Sequence, residues 1–166
     1  YDAQAEQPGW ASAAFNDGNW KNALAVKAPK GKGESEKTFP LTVNEIFKPK
    51  SIAQPAAGIY VYDFGQNASG IVELKVKGKK GQTVKLSPAE LISDKDLAYQ
   101  NATGRPLYFS YTLKGDGVGT WRPKFTYYGF RYVQVEGAVP DTAAAQSDLP
   151  RIVGLASLHT SNSNPE

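Results

Sequence analysis

Ile71-Val72-Glu73-Leu74-Lys75-Val76-Lys77, then Gly78-Lys79-Lys80-Gly81, then Thr83-Val84-Lys85-Leu86-Ser87 is the stretch that decides the fold class. Side chains alternate sides along an extended chain, so Val72, Leu74 and Val76 share one face while Glu73, Lys75 and Lys77 share the other. Val84 and Leu86 resume the pattern after a turn rich in Gly and Lys. The spacing predicts a β-hairpin with one wet face.

The same period of two extends outward in both directions. It recurs in Leu107-Tyr108-Phe109-Ser110-Tyr111-Thr112-Leu113-Lys114, which runs into the turn Gly115-Asp116-Gly117-Val118-Gly119. Trp121 to Tyr127 and Phe130 to Glu136 read as another strand pair, with Gly129 as a bulge or bend. Thr38 to Val43, Ile59 to Phe64 and Ile152 to Leu158 are further strands, and Pro88 to Ile92 leaves room for one helical turn. Short strands between Gly, Pro and Asn turns, without a ten-residue helical pattern, predict an all-β fold: an antiparallel β-sandwich or jelly roll with an irregular N-terminal extension. Trp10, Phe15 and Trp20 stand in polar, turn-rich surroundings, and residues 28 to 37 have the Lys, Gly and Pro content of a linker. The expected division is 1–37 as the tail of a preceding module plus linker, and 38–160 as the sandwich.

Composition excludes several chemistries. The chain has 166 residues, with 16 Gly, 11 Pro, a single His and neither Cys nor Met. Without Cys there is no disulfide scaffold, thiol nucleophile or Cys-ligated metal, and His159 alone makes no triad or multi-histidine centre. No metal-ligand set is read from the sequence. Nineteen Lys and Arg against sixteen Asp and Glu leave a net charge of +3. The lysines are scattered: Lys27, Lys30, Lys32 and Lys37 lie in the linker, while Lys75, Lys77, Lys79, Lys80 and Lys85 alternate with apolar residues. Neither group is a phosphate-binding stripe, so nucleic acid is not an expected partner. No apolar run is long enough for a membrane span, and no signal h-region is present. A chain opening Tyr1-Asp2-Ala3 reads as an excised piece of something longer, which leaves export and compartment open.

Four strings occur in order: YDAQAEQPGWASAAFNDGNWKNA from Tyr1, GIYVYDFGQNASGIVELKVKGKKGQTVKLSPAELI from Gly58, YTLKGDGVGTWRPKFTYYGFRYVQVEG from Tyr111, and LASLHTSNSNPE from Leu155. Together they resemble the non-catalytic, concanavalin-like β-sandwich region of bacterial α-L-rhamnosidases of glycoside hydrolase family 78, weakest over 28–50 and 138–150. The opening string is similar to the end of that family's N-terminal module. The resemblance implies that residues 161–166 lead toward an (α/α)6 barrel carrying the acids of an inverting hydrolysis, and that this barrel is the partner. It also implies a rhamnose-containing glycan as substrate of the parent enzyme, for which a periplasmic or extracellular setting is suitable. Inverting hydrolysis needs a general acid and a general base roughly 6.5–9.5 Å apart. No spacing pairs the acids of this chain in that way, so no catalytic residue is expected in it.

Candidate contact residues, for carbohydrate or for a neighbouring domain, are Asp63, Gln66, Asn67, Glu90, Trp121, Tyr127, Tyr128 and Arg131. Asp63-Phe64-Gly65-Gln66-Asn67 ends a strand. Its polar side chains suit sugar hydroxyls, but the plainer reading has Asp63 and Asn67 bonding their own turn, with Gly65 at positive φ. Tyr127-Tyr128-Gly129-Phe130-Arg131-Tyr132 gathers rings and a guanidinium suited to a glycan platform. Core and inter-domain packing is the preferred reading, with Arg131 pairing Glu90 or Asp63. For Trp10, Phe15 and Trp20 the preferred reading is a turn pinned to the sandwich by apolar anchors, against an aromatic sugar platform. Asp94 and Asp96, or Asp116, suggest structural calcium, yet the full loop pattern is missing and plain turns are preferred, so no cofactor is expected. Asn67-Ala68-Ser69 and Asn101-Ala102-Thr103 fit the N-glycosylation pattern, which matters only in a eukaryotic secretory setting.

Overall fold

A computed structural model describes residues 1–101, 106–115, 117–143 and 148–163. Asp116, most of Asn101-Ala102-Thr103 and the end of the 161–166 segment fall outside them. Among the described residues the chain forms eleven strands: β1 (Leu41–Phe47), β2 (Ser51–Ala56), β3 (Ile59–Lys77), β4 (Thr83–Ala89), β5 (Leu91–Ile92), β6 (Ala98–Tyr99), β7 (Phe109–Thr112), β8 (Val118–Trp121), β9 (Tyr128–Glu136), β10 (Val139–Pro140) and β11 (Arg151–Asn162). Alternation sorts the side chains as expected: Val72, Leu74, Val76, Val84 and Leu86 are buried, while Lys75 and Lys77 are exposed. Each such aliphatic side chain contributes roughly 1.5–3 kcal/mol when taken out of water.

The pairing is antiparallel except for β10 with β11 and a parallel bridge between Asp2 and Thr112. One path runs β1-β11-β3-β9-β4-β7, with β2 and β8 also joined to β3. The 19 residues of β3 belong to both halves: Ile59 to Asp63 lie between β2 and β9, and Leu74 to Lys77 between β11 and β8. The sheet therefore folds over on itself through β3. Val72, Leu74, Val76, Ile152 and Leu155 from one half meet Tyr62, Val84, Leu86, Tyr111, Val133 and Val135 from the other in one core.

The expected hairpin of residues 71–87 is corrected by this pairing. β3 and β4 do not bond to each other. β4 pairs with β7 and β9, and the turn at 78–82 carries the chain from one half of the sheet to the other. Alternation gives the same pattern for two strands side by side and for two that face each other across a core, so it does not name the hydrogen-bond partner. The pair expected from Trp121–Tyr127 and Phe130–Glu136 fails similarly. β8 ends at Trp121 and pairs with β3, and residues 122–127 are a loop, because Pro123 has no N–H to give a ladder and Phe125 takes φ +60°. Pro88 to Ile92 is not a helical turn: it ends β4, bends at Glu90 and starts β5, with Pro88 paired to Val133.

The irregularity expected at Gly129 lies instead in β3. Between Asp63↔Tyr132 and Ala68↔Phe130 the strand carries residues 64–67 as a bulge, with Arg131 of β9 opposite. Beyond it Gly70 is required by a close approach, since a Cβ there would lie 2.7 Å from the Leu158 carbonyl oxygen.

The N-terminal segment is tied down differently from expectation. Trp10 and Trp20 are exposed, and the Phe15 ring meets that of Trp20 at 5.3 Å. The anchors are Tyr1 and Ala3: Ala3 is buried in the core, the Tyr1 ring stacks on Tyr111 at 6.1 Å, and the Thr112 N–H donates to the Tyr1 carbonyl at 2.9 Å.

Tyr62 is 3% exposed and its hydroxyl has no hydrogen-bond partner among the described residues; burial pushes its pKa well up, so it stays neutral. A buried donor left unsatisfied costs about 1–3 kcal/mol. Tyr62→Phe, which keeps the ring and removes the hydroxyl, is therefore expected to raise Tm or leave it unchanged in thermal unfolding. A clear fall would show that the hydroxyl has a partner in solution.

Candidate functional site

The bulge of β3 gathers five of the eight candidate residues. Asp63 accepts two bonds from Arg131, from Nε and Nη2, each 2.8 Å, and Oδ1 also accepts the Gly65 N–H at 2.6 Å. Gly65 adopts φ +77° with the Lys50 side chain lying across its Cα, where a Cβ would collide. A two-point fork on a carboxylate is rigid as well as charged. It holds the Asp63 carboxyl below its usual pKa, with the Gly65 N–H helping, while burial opposes. The Arg131 guanidinium also lies over the Tyr132 ring at 5.0 Å.

Asn67 does not bond its own turn; its Nδ2 donates to Glu90 Oε1 at 2.9 Å, linking the bulge to the end of β4. Gln66 is exposed beside it. Glu90 and Tyr128 line a hollow of about 210 Å³ with Tyr99 and Gln100, so Tyr128 is the one aromatic candidate near the polar group.

Trp121 lies elsewhere, in an aromatic ladder through the sandwich end. It stacks on Tyr111 at 5.4 Å, meets Tyr1 at 5.9 Å, and packs edge-on to Phe109 at 6.4 Å, which in turn touches Tyr128 at 5.6 Å. Trp121 and Tyr128 are partly buried and packed against the core. His159 is not a bare surface side chain: its ring stacks on Phe47 and Nδ1 lies 2.8 Å from the Ser69 carbonyl. A carbonyl only accepts, so that nitrogen carries the proton. Asp94 and Asp96 sit in a turn organised by Ser93, whose Oγ accepts the Lys95 and Leu97 N–H groups. Among the described residues no three His, Cys, Asp or Glu side chains gather in the manner of a metal site.

Tyr127 leads to a feature that the sequence reading missed. It is 54% exposed and lines an open groove of about 840 Å³ with Leu41, Val43, Ile71, Arg122 and Phe125. Phe125 is fully exposed and has φ +60°. The available signal was Pro123, which interrupts the alternation just where a strand was expected to continue. A second open groove, of about 610 Å³, is bounded by Tyr1, Glu6, Gln7, Trp10, Trp20 and Lys114. Its polar groups are cross-linked: Lys114 Nζ to Glu6 at 2.7 Å, Tyr1 OH to Glu6 at 2.9 Å, and Trp20 Nε1 to Gln7 at 2.7 Å.

A curled antiparallel sheet with a shared long strand and a polar bulge at its rim defines the class, a concanavalin-like β-sandwich. Residues 53–155 match the family described as the bacterial alpha-L-rhamnosidase concanavalin-like domain, more than half of the chain, and the chain belongs to that family. An alpha-L-rhamnosidase of Streptomyces avermitilis is 36% identical over 142 residues, 82% of this chain but 14% of the relative. One from Formosa agariphila is 33% identical over 144 residues, again 82% of this chain and 15% of the relative. Among solved structures, alpha-L-rhamnosidase from Dictyoglumus thermophilum superposes with TM-score 0.84 at 31% identity, over 98% of this chain and 18% of that one. The Streptomyces avermitilis enzyme complexed with L-rhamnose gives 0.81 at 32% identity, over 99% and 16%. The chain thus spans roughly a sixth of the length of these enzymes and corresponds to one small region of them.

Asp63→Asn tests the bulge. Because the folded-state pKa of Asp63 is depressed, its contribution to stability is fully present above the unfolded value near ~4 and is lost as pH falls through the folded value. Asp63→Asn is expected to lower Tm at neutral pH, with the gap from the parent narrowing below about pH 4. A gap independent of pH would mean that the pair contributes no charge-dependent stability.

Proposed function

We propose that this chain is a non-catalytic accessory β-sandwich of a multidomain α-L-rhamnosidase, supporting the catalytic part of the same polypeptide. The observation that carries the reading is the pair of coverages: nearly all of this chain matches, and only 14–18% of the enzymes it matches is accounted for. The chemistry of the described acids agrees. A general acid of an inverting glycosidase works with a raised pKa. Asp63, Glu6 and Glu136 are each held below the usual carboxylate range, by Arg131, by Lys114 and Tyr1, and by Lys85 and Gln134. In Glu136 burial opposes the lowering and is the largest single influence.

The purified chain is expected to release no aglycone from an aryl α-L-rhamnoside under conditions in which the full-length parent enzyme does. Turnover proportional to the concentration of the purified chain would overturn the reading.

A second reading, an autonomous module that binds rhamnosyl glycans, is favoured by one observation. Trp10 and Trp20 are 60% and 46% exposed on the groove that also holds Glu6, Gln7 and Lys114. Aromatic faces beside fixed polar groups suit pyranose rings. On this reading calorimetric titration with L-rhamnose or rhamnose-containing oligosaccharide gives saturable heat that is lost in Trp10→Ala. Absence of heat at millimolar ligand leaves the supporting role alone.

A further inference from the structure

The loop at residues 122–127 carries two features that nothing within the chain explains. Phe125 occupies the left-handed region at φ +60°, where a residue with a Cβ is strained, and its ring is fully exposed. Strained backbone persists where surrounding contacts hold it, and a large apolar side chain in water gains nothing from it. Here neither the strain nor the exposure is offset by a contact of the Phe125 ring within the chain. The ring stands at the edge of the 840 Å³ groove, whose other apolar walls are Leu41, Val43, Ile71 and Tyr127. Leu41 and Val43 belong to β1, at the outer side of β11, so the uncovered face is continuous from the sheet edge to the loop.

We propose that this face, centred on Phe125 and Tyr127, is the surface on which the catalytic part of the same rhamnosidase polypeptide docks. The proposal rests on the accessory role argued above and adds the place and the chemistry of the contact. Three observations select that occupant. The matched rhamnosidases devote more than four-fifths of their length to regions this chain does not contain, so an intramolecular partner is available at high effective concentration. The charge of the lining is one-sided: Arg122 and Lys124 flank the apolar walls, and among the described residues no carboxylate lines the groove. The complementary surface is an apolar ridge edged by Asp or Glu. A second copy of this chain fits less well, because a two-fold contact of the face with itself offers Arg122 and Lys124 no carboxylate among the described lining residues. Finally, Thr160 lies in the groove and Leu41 pairs with Asn162, so the end of β11 stands at the rim. The groove is thus bounded by β1, the end of β11 and the 122–127 loop together.

Hydroxyl-radical footprinting of the 166-residue chain and of the full-length parent enzyme tests the proposal directly, since Phe and Tyr rings report their own exposure. Phe125 and Tyr127 are expected to react readily in the isolated chain and several-fold less in the full-length enzyme. Phe125→Gly supplies an independent readout of opposite sign in the two contexts. It relieves the positive φ, so Tm of the isolated chain is unchanged or higher, while Tm of the full-length enzyme falls because a buried ring is lost. Arg122→Glu is expected to lower Tm only in the full-length enzyme. Equal reactivity of the loop in both contexts, or equal effects of Phe125→Gly in both, overturns the docking face. Protection that grows with concentration of the isolated chain also overturns it, in favour of self-association. If the isolated chain instead hydrolyses the aryl rhamnoside, it is the accessory reading that fails, whatever the footprint shows.

Discussion

β3 is hydrogen-bonded to four other strands, β2 and β9 along its first part and β11 and β8 along its last, and the two halves of the sandwich are joined through it. A strand that must lie in two layers has to bend where it passes from one to the other. The bulge at 64–67 and Gly70 stand at that passage: the bulge changes the register against β9, and the missing Cβ at Gly70 lets the Leu158 carbonyl close in. The burial phase of β9 slips at the same level, from Phe130 to Val133, so that both strands keep their apolar residues in the core on either side of the bend.

What holds the bend is polar, and what holds the two ends together is aromatic. Asp63 serves as a joint, accepting the Gly65 N–H inside the bulge and the Arg131 fork from the strand opposite. At the other end Tyr111, Trp121, Phe109 and Tyr128 form a ladder that closes on Tyr1. The first residues add to the edge of β7 in parallel and send Ala3 into the core. The front segment is thus structurally part of the sandwich at its very beginning, and only residues after it trail away in exposed turns. This couples Tyr1 to the core by both hydrogen bonds and packing.

The consequence for function is a division between residues used internally and faces left uncovered. Trp121, Tyr128, Arg131 and Asp63 have the chemistry of ligand contacts, yet their rings and charges are occupied by each other and by the core. Two faces stay uncovered among the described residues, the groove beside Phe125 with mainly apolar walls and a cationic edge, and the groove beside Trp10 and Trp20, aromatic with paired polar groups. The reactive-looking residues are thus engaged in holding the scaffold while apolar faces stay uncovered, which supports the accessory role proposed above.

The class of the fold was legible from the sequence alone. Alternation is a property of single strands, so the buried positions of β3, β4 and β9 and the all-β architecture could be read from Val72, Leu74, Val76, Val84, Leu86, Val133 and Val135. The family resemblance was legible as well, because strings such as those around Asp63 and Tyr128 are specific and ordered. The tertiary structure alone decided which strands pair. Residues 71–77 and 83–87 read as a hairpin, but they face each other across the core, since an alternating pattern does not distinguish a lateral neighbour from an opposing one. It also decided which aromatics are free: burial depends on contacts between residues distant in sequence, which packed Trp121 against the core and left Phe125, four residues beyond the end of β8 and strained at φ +60°, in water.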